Sequence, residues 1–218
     1  MTYEELRRSE EVNCYVRAAG DALLAMGYTE HSFAHVTAVA RKAGEILRTL
    51  GYPEKAVENA RIAGYLHDIG NLVNRAGHSQ SGAAIALPLL RSLGVSPEDA
   101  AEIASAIGNH DESTGVPVSP VAAALILADK SDMRRSRVRT RDPADYDIHD
   151  RVNYSVTHAA LSVDAEAAVI LLELMIDTEY SSVADYFEIF LQRMNFCRRA
   201  ARTLGASFHL TINGQRML

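Results

Sequence analysis

The sequence predicts a mainly α-helical bundle that is followed by a smaller α+β unit. Apolar residues recur at helical spacing through the first part of the chain, and glycine and proline mark short turns between the helices. Beyond about Asp142-Pro143, β-branched and apolar residues begin to alternate with a period of two. We therefore expect a helical unit over residues 1–142 and a second unit over residues 143–218.

The helical unit is predicted from its apolar periodicity and its start and stop residues. Gly51 and Pro53 separate two neighbouring helices, which must then run antiparallel. The pairs Ser96-Pro97 and Ser119-Pro120 each combine a capping hydroxyl with proline at the first helical position. The predicted helices cover about residues 2–25, 32–50, 53–68, 79–93 and 96–110, and a last one begins at Ser119-Pro120 and carries Asp129.

In the C-terminal unit, the predicted order is β-β-α-β. Residues 152–163 and 167–176 are predicted strands, residues 182–204 a helix, and residues 208–212 a last strand. A helix over 166–176 is the alternative, because Ala, Leu, Glu and Met all favour helix. A small sheet has exposed edges, which are usually covered or paired, so the unit could pack on the helical unit or form a homo-oligomer.

Composition limits the classes of partner. The chain has 218 residues, of which 48% are hydrophobic and 23% are charged, as in a globular protein with a sizeable core. No stretch reaches the roughly eighteen apolar residues of a membrane span, and the first residues do not look like a signal peptide, so we expect a cytoplasmic protein. A net charge of −6 works against phosphate contacts, which makes nucleic acid an unexpected partner.

Potential metal ligands lie on the apolar faces of the predicted helices. A pair such as His67-Asp68 is common on ordinary helix surfaces and means little alone. His35, His110 and Asp129, however, also fall on apolar stripes, each on a different helix. Burying an imidazole or a carboxylate without a partner is costly, and a shared divalent cation would satisfy all of these groups together.

These residues, together with the run Gly77-His78-Ser79-Gln80-Ser81-Gly82, carry a family resemblance. The order His35, His67-Asp68, His78, His110, Asp129 resembles the HD-domain metal-dependent phosphohydrolase superfamily, in the version with a dinuclear metal site. The resemblance covers roughly residues 20–135 and implies the helical bundle of that superfamily.

The resemblance also implies a ligand set. His35, His67, Asp68 and Asp129 would hold one divalent ion, Asp68 would bridge, and His78 with His110 would hold a second ion. In the alternative, only one ion binds, and His78 and His110 face solvent at helix ends. Imidazole and carboxylate ligands without thiolate suit Fe, Mn, Mg, Co, Ni or Zn, and the sequence does not choose among them.

The substrate contacts follow from basic residues near the last ligand. Lys130, next to Asp129, is the predicted phosphate contact, and together with Asp68 it makes up the predicted catalytic pair. The arginine-rich segment 134–141 is either an anion clamp through Arg134 and Arg137 or a solvated helix tail. His31 could be an extra ligand or a structural residue.

Some residues differ from those typical of the superfamily, and these differences reduce the number of possible reactions. Asn71 stands where many relatives have Lys, and His110 is preceded by Asn109, not by the histidine of the two-metal signalling phosphodiesterases, so hydrolysis of cyclic dinucleotides is disfavoured. The pair His149-Asp150 lacks the apolar helical setting of His67-Asp68 and is not expected to bind metal.

Three functions remain open. The first is hydrolysis of a phosphate ester in a nucleotide or another small phosphorylated metabolite. The second is a di-iron oxygenase, because the ligand set also resembles that of myo-inositol oxygenase and related oxygenases. The third is a non-catalytic regulatory module in which the metal is structural.

Overall fold

A computed structural model describes residues 1–28, 33–133, 135–138, 146 and 148–218 of the chain. As predicted, a helical bundle precedes a C-terminal α+β unit. The helices of the bundle are α1 Tyr3–Leu6, α2 Glu10–Ala25, α3 Phe33–Thr49, α4 Glu54–Leu66, α5 His78–Ser92, α6 Pro97–Gly108 and α7 Pro120–Lys130. The predicted boundary at residues 142 and 143 lies outside the described residues. None of the helices in the described part is long and apolar enough to cross a membrane.

The antiparallel pair of α3 and α4 forms the centre of the bundle. Gly51 has a φ of +77°, a conformation that glycine adopts without strain, and it turns the chain between the two helices. Gly64 lets the helices approach closely, because a Cβ atom there would lie 2.7 Å from the Cα of Ala40. The buried α7 packs against both helices, and nearly all of its residues are inaccessible to solvent.

The single predicted helix over residues 2–25 was wrong, because the chain forms two helices there. The Ser9 side chain accepts a hydrogen bond from the backbone N–H of Val12 and caps α2. The negative charges of Glu10 and Glu11 stabilise the first turn, where the helix dipole is positive. Tyr3 and Leu6 of α1 are buried, and the backbone N–H of Tyr3 donates to Glu58 at 2.6 Å. The break therefore lets α1 fold back against α4.

Helix α4 ends earlier than predicted, at Leu66, so that His67 and Asp68 do not share a continuous helix. His67 is the C-cap, Asp68 leaves the helical conformation, and a 3₁₀ turn follows over Ile69–Leu72. A Cβ atom at Gly70 would overlap the carbonyl oxygen of His78, so the 3₁₀ turn and the start of α5 are in close contact. This contact brings His78 back beside the end of α4.

The C-terminal unit contains one helix more than predicted at its start. Residues 152–155 belong to α8 Ile148–Ser155 and not to the first strand. The strands are β1 Val156–Asp164, β2 Val169–Ile176, β3 Ser207–Ile212 and the short β4 Gln215–Arg216, with α9 Val183–Thr203 between β2 and β3. The alternative of a helix over 166–176 was wrong.

The four strands form one sheet in the order β1-β2-β3-β4. The pairs β1–β2 and β3–β4 are antiparallel, whereas β2 and β3 are parallel because α9 crosses between them. Along β2, residues of one face are buried and alternate with more exposed ones. Helix α9 packs on β3 and also on α7, so it lies between the sheet and the bundle.

We expect Gly64→Ala to destabilise the protein by about 2 kcal/mol or more, because the new methyl group would collide with the backbone of α3 and not with a flexible side chain. Gly108→Ala is the matched control, since a Cβ atom there is 3.4 Å from the Cβ of Ala83, and its effect should stay within about 1 kcal/mol. Urea unfolding of both variants in the same metal state measures the difference. Equal stabilities would contradict the close contact.

The two cysteines should react very differently with a thiol reagent in the native protein. Cys14 is exposed, whereas Cys197 of α9 is buried and its burial raises the thiol pKa to about 12. We expect Ellman's reagent to modify Cys14 quickly and Cys197 only after denaturation, and Cys14→Ser to remove the fast reaction. Fast modification of Cys197 in the native state would mean that α9 does not pack on α7 as described.

Candidate metal centre

The residues predicted as metal ligands lie together in the interior of the bundle. Each comes from a different position in the helical framework: His35 in α3, His67 and Asp68 at the end of α4, His78 at the start of α5, His110 just after α6, and Asp129 in α7. The histidines and Asp68 are buried, and the Asp129 side chain is only 12% exposed. All of the predicted ligands are therefore neighbours.

One side of the cluster contains His35, His67 and Asp129. The Nε2 atoms of His35 and His67 are 3.3 Å apart, and His35 Nε2 lies 3.4 Å from Asp129 Oδ1. Asp68 reaches this side through Oδ2, which is 3.2 Å from His67 Nε2. These distances are typical of atoms that could share one cation.

The other side contains His78 and His110, whose Nε2 atoms are 3.1 Å apart. Asp68 reaches this side through its other oxygen, since Oδ1 lies 3.8 Å from His78 Nε2. The ring of His67 also meets the ring of His110 edge to face, with centroids 5.0 Å apart. The two oxygens of Asp68 thus face different histidines.

The outer nitrogen of every histidine in the cluster has a hydrogen-bond acceptor. Nδ1 of His67 donates to the carbonyl of Gly64 at 2.8 Å, and Nδ1 of His110 donates to the carbonyl of Ile107 at 2.6 Å. A carbonyl can only accept, so Nδ1 carries the proton in these rings, and the Nε2 lone pair points to the centre of the cluster. Further acceptors are the Arg75 carbonyl for His78 at 3.1 Å and Asp132 Oδ2 for His35 at 2.6 Å.

This arrangement fits a divalent cation. Inward lone pairs on nitrogen and carboxylate oxygens repel one another, and a buried group of such acceptors is costly unless a cation binds them. Among the described residues, two groups of side chains each have ligand atoms that all lie within 4.8 Å of one another. The first group is His35, His67 and Asp129, and the second is His67, Asp68 and His110. The nitrogen and oxygen donors suit first-row transition metals or Mg²⁺.

The surroundings of His110 and Asp129 favour the forms of these two side chains that bind metal. Burial lowers the pKa of His110 to about 3, with neighbouring His67 and Lys130 acting in the same direction, so its ring is neutral at physiological pH. Burial alone would raise the pKa of Asp129, but the Lys130 ammonium and the two nearby histidines lower it well below its usual range. Metal binding needs a neutral imidazole and an ionised carboxylate.

Lys130 is buried in a network of ion pairs beside the ligands. Its Nζ lies 2.8 Å from Asp129 Oδ2 and 2.6 Å from Glu112 Oε2. Glu112 Oε1 in turn accepts from Nε of Arg193 in α9 at 2.7 Å. Burial would raise the pKa of Glu112, but Lys130 and Arg193 lower it to about 2. Glu112 and Arg193 were not identified from the sequence.

Asp68 is held on its outer side by two further side chains. Asn71 Nδ2 donates to Asp68 Oδ1 and to the Asp68 carbonyl, each at 2.9 Å. The Arg75 guanidinium lies 3.8 Å from the same Oδ1 and donates to Asn71 Oδ1 at 3.3 Å. Asn71 therefore fixes the orientation of the carboxylate that lies between the two groups of histidines.

The HD domain family matches residues 32–134, which include every predicted ligand. The chain contains an HD domain. The expected membership of the HD superfamily is confirmed, and HD domains bind divalent metal ions. Asp132 belongs to the matched segment, whereas Arg193 lies outside it and comes from the C-terminal unit.

Two other proteins are similar to this chain over most of their own length. An uncharacterized protein of Methanocaldococcus jannaschii, MJ1020, is 27% identical over 203 residues, which cover 82% of this chain and 77% of that protein. The crystal structure of a predicted HD superfamily hydrolase from an uncultured Thermotogales bacterium is 26% identical, covers 62% of this chain and 75% of that chain, and has a TM-score of 0.46.

Arg137 lies beside the candidate ligands, and the second His-Asp pair lies in a neighbouring cleft. Arg137 borders the ligands and donates through Nη1 to the carbonyl of Asp132 at 2.7 Å. His149 and Asp150 are on α8, outside the residues that match the HD domain, and line a cleft beside the candidate ligands. His31 and Arg134 lie outside the described residues, so their suggested roles stay predictions.

Asp132→Asn should weaken metal binding about 10- to 100-fold without unfolding the HD domain, because Asp132 accepts the hydrogen bond that orients the His35 ring. The affinity for Mn²⁺ can be measured by competition with a fluorescent chelator. Asp99→Asn is the matched control, since Asp99 pairs with Lys55 and Asn59 away from the ligands. Equal affinities of the two variants would contradict an orienting role for Asp132.

Proposed function

We propose that the protein is a metal-dependent phosphohydrolase that cleaves a phosphate ester of a nucleotide or another small phosphorylated metabolite. The observation that carries this proposal is the position of Asp68, whose two oxygens face two different sets of histidines. A carboxylate in this position suits a bridge between two cations. The HD domain supports hydrolase chemistry, and the phosphate ester is our inference.

In this proposal, His35, His67, Asp68 and Asp129 hold one divalent ion, while His78 and His110 with Asp68 hold a second. The identity of the ions is left open among Fe, Mn, Mg, Co, Ni and Zn. When bound, such ions activate a water molecule and offset the negative charge of the phosphate oxygens. No nucleophile from the protein is then needed.

The remaining residues prepare the site for an anionic substrate. Lys130 keeps Asp129 ionised and adds positive charge at the wall of the small pocket above the ligands. Arg137, in the turn after α7, lines the same pocket and could contact a phosphate oxygen through its guanidinium. Both contacts were predicted from the sequence.

A metal analysis combined with a screen of phosphate esters would test the proposed function directly. The protein is loaded with Mn²⁺, Fe²⁺ or Mg²⁺, phosphate release is measured without oxygen, and O₂ consumption is measured separately in air. Release of phosphate under these conditions would support hydrolysis. Consumption of O₂ by an iron-loaded protein that releases no phosphate would overturn the proposal in favour of an oxygenase, and tight metal binding with neither activity would favour a structural metal.

His110→Ala should remove about one equivalent of metal and leave the helical fold intact, because in our assignment His110 binds only the second ion. Phosphate release should then fall at least about 100-fold, as expected when electrostatic support of a transition state is lost. Asp68→Ala should remove both ions. Metal content by mass spectrometry, circular dichroism and turnover are the measurements.

His158→Ala is the control for the loss of an imidazole, because His158 is exposed on β1, outside the HD domain. It should leave metal content and turnover unchanged. If His110→Ala keeps all of its metal, His110 is not a ligand. If it loses metal and keeps full turnover, the second ion does not take part in the reaction.

A further inference from the structure

A cleft of about 440 Å³ opens beside the metal centre and is formed by both units of the chain. Tyr28 and Arg75 line it from the helical bundle, and Phe190 and Arg193 line it from α9. Pockets for small ligands have volumes of this order and combine apolar walls with a few polar groups. The cleft is therefore large enough for the body of a small organic substrate.

Three arginines connect this cleft with the small pocket over the metal ligands. Arg75, Arg137 and Arg193 line both hollows, so they stand where one opens into the other. They come from three separate segments: the loop before α5, a second 3₁₀ turn over Arg135–Arg137 after α7, and α9. Asp150 lines the cleft as well, but the described lining contains more guanidinium groups than carboxylates.

Each of these guanidinium groups is held in place by neighbouring residues. Arg193 donates through Nε to Glu112 and lies 4.8 Å from the ring centroid of Phe190. Arg75 lies over the ring of Tyr28, at 5.7 Å from its centroid. The side chains of Arg193 and Arg75 are still 32% and 28% exposed, so both can reach a ligand. A guanidinium fixed in this way loses little entropy when it binds an anion.

We propose that the substrate carries a second anionic group, a phosphate or a carboxylate, which Arg193 and Arg75 bind in the cleft while the ester to be cleaved lies at the metal centre. This inference rests on the proposed function. Planar guanidinium groups make paired hydrogen bonds to both kinds of anion. The exposed ring of Tyr28 provides apolar surface for the part of the substrate between its two anionic groups.

The C-terminal unit would thus contribute directly to the choice of substrate. Arg193 lies outside the segment that matches the HD domain, and it enters the site because α9 packs against α7. Because Arg193 also holds Glu112, a partner of Lys130, its contact with an anion must be separated from an indirect effect through Glu112.

The test uses phosphonates, which bind as phosphates do but are not hydrolysed. Calorimetric titration of the metal-loaded full chain with hexylphosphonate and with hexane-1,6-bisphosphonate compares one anionic group with two on the same carbon chain. We expect the bisphosphonate to bind at least about tenfold more tightly, the effect of one additional charged hydrogen-bonded pair. Arg193→Gln should reduce the ratio of the bisphosphonate affinity to the hexylphosphonate affinity to about one. The affinity for hexylphosphonate itself should stay within about threefold of the unchanged protein.

Two further variants separate direct binding from indirect effects. Arg198→Gln removes the same charge from an exposed position of α9 and should keep the ratio. Glu112→Gln breaks the link between Arg193 and Lys130 but leaves the arginine in place, so it should also keep most of the ratio. Metal content is measured for every variant, since it should be unchanged in all three.

The outcomes distinguish this inference from the proposed function. One outcome is that hexylphosphonate binds and phosphate esters are cleaved, but the bisphosphonate binds no more tightly. The proposal of a second anionic group is then wrong, and the hydrolase proposal stands. If Glu112→Gln abolishes the ratio as completely as Arg193→Gln, then Arg193 acts only by positioning Lys130. If neither phosphonate binds and no ester is cleaved, both proposals fall.

Discussion

The convergence of histidine and carboxylate groups at the centre of the bundle is the constraint on which the rest of the structure depends. Nε2 of His35 lies within 3.3 Å of Nε2 of His67, and both lone pairs point into the same buried space. Such an arrangement is unfavourable without a cation, because lone pairs that face each other in a buried space repel one another. Helix packing and the outer hydrogen bonds of the rings must therefore supply the energy that holds these groups in place.

Two close backbone contacts make this convergence possible. Gly64 brings α4 against Ala40 of α3, and Gly70 brings the 3₁₀ turn against the carbonyl of His78. The first contact sets the distance between His35 and His67, and the second brings the start of α5 back to the end of α4. A side chain at either glycine would push a ligand-bearing segment away, so these positions act on the metal centre through the backbone alone.

The positions of the candidate ligands in the helical framework could be predicted from the sequence because their local signals are strong. Asp129 lies in a helix that begins with Ser-Pro, and His110 lies just after another such helix, so the length of each helix places the candidate ligand. The end of α4 at Leu66 was missed, because apolar spacing does not reveal where a helix gives way to a 3₁₀ turn. Helix α8 was missed for a related reason. Its last residues, like those of β1, have a high propensity for β-strands, so the two elements look like one strand in the sequence.

Arg193 and Glu112 could not be found in this way, because their contact joins residues 81 positions apart. Arg193 lies on an amphipathic helix among several other arginines, and nothing in its neighbours distinguishes it. Only the packing of α9 on α7 selects it for the site. A residue of this kind is chosen by tertiary structure, and the sequence pattern of one helix contains no information about it.

The same helix fixes the loop that follows His110. Gln192, Arg199 and Thr203 donate to the backbone carbonyls of Glu112, Gly115 and Pro117, at 3.2, 2.8 and 3.2 Å. This loop has no regular secondary structure, so side chains of α9 satisfy carbonyl groups that would otherwise need water. Because the loop begins one residue after a candidate metal ligand, displacement of α9 would loosen the His110 side of the metal centre as well as remove Arg193. The C-terminal unit therefore stabilises the part of the HD domain on which a second metal ion would depend.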